Sequence, residues 1–137
     1  MRLRHPLTGD RKWYACEGTA TVRAFWGGSA NIEDGDLRCP TQYVRGVTVR
    51  LYDPAKEQWA LYWGTQKNGL APGLPQIGRF NANGVGDFLA PDTYDGKAIL
   101  VRYRWFARTR SPRFEEAFSV DRGKTWETVW TTDYARS

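Results

Sequence analysis

The sequence predicts a single all-β domain, spanning residues 1–137, that folds as an antiparallel up-and-down barrel of about eight strands. Short runs rich in Val, Thr, Tyr, Phe and Trp recur along the chain, Gly, Pro, Asn and Asp separate them, and helical periodicity is almost absent. A chain of this length fits one hydrophobic core. Closing an antiparallel sheet removes its exposed edges, which favours a barrel over an open sheet.

Eight runs have the composition of strands, and turn residues connect most of them. Asp53-Pro54 ends the second run, because proline presets the backbone angle of a turn. Residues 81–84 (NANG) and 121–124 (DRGK) have the Asn, Asp and Gly residues that tight hairpins require. The irregular segment 66–74 reads as a loop at the barrel mouth. The predicted strands are 19–26, 44–52, 58–64, 76–80, 84–89, 97–106, 114–120 and 125–134.

Alternation along these strands predicts which side chains face the interior, since successive residues point to opposite faces. In run 44–52, Val47, Val49 and Leu51 share one face, which we expect to point inward, with Arg50 on the other face. In run 97–106 the same rule turns Arg102 outward. The residues that it turns inward elsewhere are Trp59, Leu61, Trp63, Ile99, Val101, Tyr103, Trp105, Trp126, Thr128, Trp130, Thr132 and Tyr134.

Glu116 is the one acidic residue that alternation places inside the predicted barrel, because it shares the parity of Phe114 and Phe118. Burying an unpaired carboxylate is costly, so the group must find partners, contact water or hold a proton. Two interpretations stay open. Glu116 either accepts hydrogen bonds from Tyr103 or an indole N–H and fixes the core, or it acts as a general acid or base.

The net charge of +5 comes mainly from arginines spread along the chain. The densest stretch of arginines, 102–113, also contains aromatic residues. It could bind nucleic acid through phosphate contacts and base stacking. A solvated strand face is the favoured interpretation, because Glu115 and Glu116 follow at once and no nucleic-acid motif is present. No apolar run is long enough for a membrane helix and no secretory signal is recognised, so we expect a cytoplasmic protein without nucleic-acid or membrane partners.

Cofactor and metal chemistry have little support in the residues. Cys16 and Cys39 are expected to be free thiols in a cytoplasmic protein, with a disulfide as the less favoured alternative. A single histidine makes a zinc site hard to assemble, and no phosphate-binding or dinucleotide motif occurs. We therefore expect no metal and no cofactor. His5, preceding Pro6, is expected to be exposed, although a nucleophilic pair with a cysteine or haem ligation are weaker alternatives.

Aromatic and turn motifs are spread over most of the chain. They comprise VRLYDP (49–54) with Trp59, Tyr62 and Trp63, GRF (78–80) with 84–88, VRYRW (101–105), EEAFSVD (115–121) and TWE (125–127). In these motifs the chain resembles a bacterial family of small, mostly uncharacterised calycin-like (lipocalin-like) β-barrel proteins. The resemblance implies a calycin barrel and little about chemistry.

Two departures from the family pattern bear on the site and on the barrel wall. Members of the family carry Gln where this chain has Glu116, so the carboxylate is either a specialisation or neutral drift. They also begin with a further strand, containing a Gly-x-Trp element, before the position of Leu3. The resemblance therefore implies a barrel of seven or eight strands, with closure by a second copy in a homodimer as an open alternative.

Two functions follow as hypotheses. In the first, an aromatic lumen binds a small hydrophobic or aromatic metabolite, because aromatic side chains combine contact area with polar edges. In the second, the protein is a cofactor-independent isomerase, cyclase or dehydratase of secondary metabolism, in which Glu116 moves a proton and Tyr103 or Tyr134 polarises an oxygen. The residues expected to line the ligand site are Trp59, Trp63, Tyr103, Trp105, Trp126, Trp130 and Tyr134.

Overall fold

The computed structural model describes residues 1–72 and 75–136, which form a nearly closed antiparallel β-barrel. Twelve strands occur in these residues, so the prediction of about eight was wrong, although three of the twelve have only two residues. No helix in the described ranges is long and apolar enough to cross a bilayer. The strands are β1 (Arg2–Leu3), β2 (Tyr14–Ala15), β3 (Glu17–Phe25), β4 (Ala30–Arg38), β5 (Tyr43–Asp53), β6 (Gln58–Thr65), β7 (Gly69–Leu70), β8 (Gln76–Phe80), β9 (Val85–Tyr94), β10 (Lys97–Phe106), β11 (Arg113–Ser119) and β12 (Glu127–Asp133).

The strands follow one another around the barrel in the order β2-β1-β12-β11-β10-β9-β8-β6-β5-β4-β3, and β7 pairs with β6. Strands β2 and β3 stand at opposite ends of this order, yet only Cys16 separates them in the chain. The two ends of the sheet therefore meet at Cys16, where its backbone N–H donates to the Met1 carbonyl oxygen across 2.9 Å. The barrel is closed there by a continuous chain rather than by a ladder of hydrogen bonds.

A disulfide between Cys16 and Cys39 fixes this corner, so the expectation of free thiols was wrong. The pairing of β3 with β4 explains the bond. Glu17 lies opposite Arg38, and the next pair in the same register is Cys16 and Cys39. The cytoplasmic location stays a prediction, and a disulfide is more typical of oxidising compartments.

Strand β4 was not predicted, because its sequence has the composition of a loop. Asp and Gly are rare in strands, and β4 reads ANIEDGDLR. The strand nevertheless pairs along its whole length with both β3 and β5. Its inner face carries Asn31, Glu33 and Gly35. A strand is usually recognised in a sequence by an apolar inner face, and β4 lacks one.

Strand β9 continues through Pro91 to Tyr94, a segment that lies between the predicted strands 84–89 and 97–106. A proline lacks the N–H that a ladder needs and is tolerated where that side of the strand is unpaired. Such an unpaired side exists here, because β8 pairs with β9 only from Gly86 to Leu89. The β9–β10 hairpin therefore turns at Asp95 and Gly96.

The predicted inward faces of β6 and β10 are confirmed, whereas that of β5 was wrong. Leu61 of β6 is 2% exposed, and Val101 of β10 is also buried. On β5 the polar face turns inward: Arg50 contacts the ring of Trp105 across the barrel, while Val47 is 41% exposed. The apolar face was expected inside, but β4 supplies the interior with polar partners that Arg50 can bind.

A β-bulge in β12 changes which of its side chains face inward. The register between β11 and β12 shifts between Glu116 and Ala117, where Glu116 pairs with Trp130 and Ala117 pairs with Thr128. Trp130 therefore shares the inner face of Glu116. Trp126, predicted inside by simple alternation, lies on the outer face under the guanidinium of Arg102, 4.4 Å from the ring centroid.

We expect the Cys16–Cys39 disulfide to stabilise the folded state by about 3 kcal/mol, because it restricts a loop of the unfolded chain with a sequence separation of 23. Reducing the bond should lower the urea midpoint by the corresponding amount. The Cys16→Ser/Cys39→Ser variant should unfold like the reduced protein and be insensitive to reductant. Equal midpoints for oxidised and reduced protein would contradict this expectation.

Candidate functional site

One end of the barrel interior, next to the β9–β10 hairpin, is filled by apolar side chains. Ile99, Val101, Phe118 and Val129 form a buried cluster, and Leu7 from the segment after β1 packs against it. Each of these strands presents its inner face here, because the paired positions of antiparallel strands point the same way. This end of the lumen is therefore closed.

The opposite end, where β10 ends and β11 begins, contains a group of aromatic rings in contact. The ring centroids of Trp105 and Phe114 are 4.9 Å apart, and those of Tyr103 and Phe114 are 5.3 Å apart. Tyr134, just after β12, stacks on Trp105 with a centroid distance of 5.6 Å. Offset and edge-to-face contacts of this kind stabilise aromatic clusters and fix their ring planes.

A buried ion pair lies beside these rings. The Arg50 Nη2 and Glu33 Oε2 atoms are 2.6 Å apart, and both side chains are 13% exposed. Asn31 accepts a further hydrogen bond from Arg50, and the Tyr134 hydroxyl donates to Glu33 across 3.1 Å. The Arg50 guanidinium also lies over Trp105, 4.8 Å from the ring centroid. Burial and the negative charge of Glu33 raise the pKa of the Tyr134 hydroxyl, so Tyr134 is a neutral donor to this pair.

Glu116 lies on the inner face of β11, opposite Tyr103 of β10 and Trp130 of β12, which confirms the orientation predicted from its neighbours. It is half-buried, and no side chain in the described part of the protein donates a hydrogen bond to it. Burial raises the pKa of the Glu116 carboxyl to about 7, and the charge of Asp92 adds to the rise. At neutral pH this carboxyl can both accept and release a proton.

Tyr103 faces Glu116 across the β10–β11 pair. Burial, followed by the charges of Glu116 and Asp92, raises the pKa of the Tyr103 hydroxyl well above its usual range. The hydroxyl therefore keeps its proton and can donate it in a hydrogen bond. A carboxyl that titrates near neutrality next to a neutral phenol is an arrangement suited to general acid–base chemistry.

Two further polar atoms on the inner face are buried without a hydrogen-bond partner among the described residues: Gln76 Oε1 and Trp105 Nε1. Gln76 is 3% exposed and lies on β8 opposite Leu61. Buried polar groups are nearly always hydrogen-bonded, and leaving one unsatisfied costs about 1–3 kcal/mol. The interior thus offers one free acceptor and one free donor.

Most of the aromatic residues predicted to line a ligand site do face the interior. Trp59, Trp63 and Leu61 share the inner face of β6, and the Trp63 indole packs against Gly46 of β5, where a side chain would leave no room for the ring. Trp105, Trp130, Tyr103 and Tyr134 face the interior from the other side of the barrel. These rings are half-buried rather than fully buried, so open space reaches them. Trp126 is separated from the group by the barrel wall.

Sequence reasoning missed Asn31, Glu33, Arg50 and Gln76. The sequence did contain a signal for the first three. The amide of Asn31 and the carboxylate of Glu33 are two residues apart, so they lie on the same face of one strand and can bind an arginine on the inner face of the neighbouring strand. Using that signal required β4 to be recognised as a strand. Gln76 begins β8 beside Pro75 and carries no pattern that distinguishes it from a surface residue.

Two cavities lie outside the group of rings. One, of about 550 Å³, is a groove on the outer face of β4, β5 and β6, bordered by Asp34, Val47, Val49, Tyr62 and Leu70. The other, of about 350 Å³, lies beneath the β9–β10 hairpin next to Leu7. Neither is lined by the tryptophans nominated from the sequence. In the described ranges no three His, Cys, Asp or Glu side chains lie close enough to share a metal ion.

The free energy of unfolding should depend on the protonation of Glu116. Its folded-state pKa of about 7 exceeds the ordinary value of 4.5, so the folded protein binds this proton more tightly and loses stability as the pH rises between these values. Glu116→Gln should match the parent near pH 4.5 and exceed it at pH 8 by on the order of 3 kcal/mol. Urea unfolding at both pH values measures the difference. Glu115→Gln, on the outer face, is the control for the charge change itself, and a difference for Glu116→Gln that is independent of pH would refute the expectation.

Comparison with known proteins adds no identification: no protein-family model, curated protein or solved structure matches this chain.

Proposed function

We propose that the protein binds a small, flat aromatic or hydrophobic molecule inside the barrel, and that this molecule carries at least one hydrogen-bond donor and one acceptor. The observation that carries the proposal is the pair of buried, unpartnered polar atoms, Trp105 Nε1 and Gln76 Oε1, on an interior face rich in aromatic rings. Such a combination of apolar walls and a few polar groups is typical of ligand sites.

The energetic argument rests on what these two atoms lack. Each unsatisfied group costs about 1–3 kcal/mol, and a ligand or water molecule that supplies the missing partner recovers this free energy. The surrounding rings supply contact area that favours a flat, apolar body over water alone. A molecule that matches both atoms would be preferred to an analogue that lacks one polar group, because the analogue leaves a buried group unpaired.

The geometry of the barrel indicates the direction of entry. The apolar cluster of Ile99, Val101, Phe118, Val129 and Leu7 closes one end. Access is then from the end where residues 107–112 connect β10 to β11, next to the aromatic rings. A nearly closed antiparallel barrel is compatible with the calycin-like family that the sequence resembles, and a ligand-holding lumen accords with that architecture.

Loss of the Trp105 N–H should weaken binding of a hydrogen-bonding ligand specifically. We expect 2-naphthol to bind the Trp105→Phe variant about fivefold more weakly than the wild-type protein, which corresponds to one hydrogen bond, whereas naphthalene should bind both proteins equally well. Tryptophan fluorescence titration or isothermal calorimetry measures both affinities. Trp126→Phe, on the outer face, is the matched control and should change neither. Absence of binding for both compounds, or equal loss in the two variants, would contradict the proposal.

A second candidate function is favoured by the position of Glu116 opposite Tyr103. We propose as an alternative that the protein is a cofactor-independent isomerase, cyclase or dehydratase. Glu116, with its pKa near 7, would take a proton from carbon and return it at a second position or to a leaving oxygen. Tyr103 would donate a hydrogen bond to the substrate oxygen, with Tyr134 less suited because its hydroxyl already donates to Glu33.

Conversion of a substrate, once one is found by native mass spectrometry of co-purifying compounds, should depend on Glu116. We expect Glu116→Gln to lower kcat at least about 100-fold, the lower range for removal of a general base, with KM changed only a few-fold. In the parent, kcat should follow the titration of a group near pH 7. Glu115→Gln should retain parent rates, and a Glu116→Gln variant as fast as the parent excludes this role.

A further inference from the structure

Strand β3 is an edge strand of the barrel wall. It pairs with β4 along its full length of nine residues, and no strand among the described residues pairs with its other edge. All residues of β3 except Phe25 are exposed. Val22 pairs with Glu33, which points into the lumen, so Val22 lies on the same side of the wall. Val22 is nevertheless 58% exposed. The backbone N–H and C=O groups along this edge are thus available to another strand.

Natural proteins usually protect such an edge with charged side chains, especially lysine, or with proline, a bulge or a very short strand. Of these devices strand β3 has only the two charges of Glu17 and Arg23. Its sequence, EGTATVRAF, contains no proline or lysine, and its register with β4 runs without a shift from Glu17 to Phe25. Threonine and valine in its centre favour strand pairing. The disulfide at Cys16 fixes the start of the strand, so little ordering is needed before it pairs.

The two charges of β3 are placed symmetrically about Ala20. Glu17 lies three residues before it and Arg23 three residues after it, and both project from the outer face. In an antiparallel pair of two β3 strands with a two-fold axis at Ala20, each Glu17 lies opposite Arg23 of the other copy.

Other registers lack this complementarity. An axis at Thr21 sets Glu17 opposite Phe25, and an axis at Thr19 sets it opposite Thr21, so both charges lose their partners. Neither Glu17 nor Arg23 forms an ion pair within the described part of the chain. Opposite charges directly across a strand pair are favourable and like charges are unfavourable.

We propose that β3 is the interface of a homodimer, in which the β3 strands of two copies pair antiparallel in the register centred on Ala20. The self-complementary placement of Glu17 and Arg23 favours a second copy over a strand from a different protein. A two-fold interface of this kind joins the two barrel walls into one continuous sheet. The proposal is independent of what the lumen binds.

Charge reversal tests the register directly. In homodimers of Glu17→Arg or of Arg23→Glu, two like-charged pairs replace two opposite ones, and we expect the dimer to weaken about tenfold or more. Mixing the two single variants creates a heterodimer in which both pairs are again opposite in charge. This mixture, and the Glu17→Arg/Arg23→Glu double variant, should dimerise about as tightly as the parent. Sedimentation velocity and native mass spectrometry report the dissociation constants and the composition of the dimers.

Lys124→Glu, which makes the same charge change as Arg23→Glu in an exposed turn, is the control and should dimerise like the parent. All substituted side chains are exposed, so the variants should keep the parent fold, which circular dichroism verifies. The proposal is overturned if the parent protein stays monomeric up to roughly 1 mM. The edge of β3 would then be available to a strand of another protein. A dimer unaffected by either single reversal, or single variants that fail to form a heterodimer on mixing, also overturns the proposal.

Discussion

The ion pair between Glu33 and Arg50 joins the neighbouring strands β4 and β5, and through the Tyr134 hydroxyl and the Trp105 ring it also contacts parts of the barrel that these strands do not pair with. Removing two charges from water is expensive, and their attraction offsets that cost only when the geometry is good and the remaining polar atoms are bonded. Here Asn31 and the Tyr134 hydroxyl provide those bonds, and the Trp105 ring covers the guanidinium. Removing one partner would leave an isolated buried charge, so the contacts of this cluster depend on one another.

The location of the ion pair matters as much as its strength. Strand β4 and the segment after β12 belong to opposite ends of the strand order, which the ladder of hydrogen bonds leaves unjoined. The bond from Tyr134 to Glu33 crosses this gap between residues 101 positions apart. The gap in the barrel wall is therefore bridged by side chains at one point and by the continuous backbone at Cys16 at another, where the Cys16 N–H donates to the Met1 carbonyl oxygen. Between these two points β3 keeps its free edge.

Hairpins and apolar alternation allowed much of the fold to be predicted. Strands β6, β8 and β10 and the orientation of Glu116 are determined by local patterns, namely turn residues and the two-residue period of a strand. Strand β4 and the inner face of β5 were predicted wrongly for one common reason. Their inner side chains are polar and satisfy each other, so neither strand shows the apolar inner face that prediction from one sequence relies on.

Two other features depended on information that alternation does not contain. The bulge at β12 inserts one residue against Glu116, which reverses the orientation of every position before it, and Trp126 consequently faces outward. The disulfide follows from the register of β3 with β4. It could not be predicted without recognising β4 as a strand. The inward orientation of Trp105, Tyr103 and Glu116 was thus predicted, because a single strand determines it in each case. The inward orientation of Glu33 and Arg50 was missed, because two strands must be paired before it can be recognised.

Trp105 connects the stability of the barrel with its proposed function. Its ring is held by Tyr134, by Phe114 and by the guanidinium of Arg50, so the plane of the indole is fixed by the cluster that also supports the ion pair. The direction of its N–H is then fixed as well, although that group has no partner of its own. A donor held in position before binding costs a ligand less ordering entropy than a mobile one. The contacts that offset the cost of burying Glu33 and Arg50 therefore also preorganise the polar group that a ligand would meet.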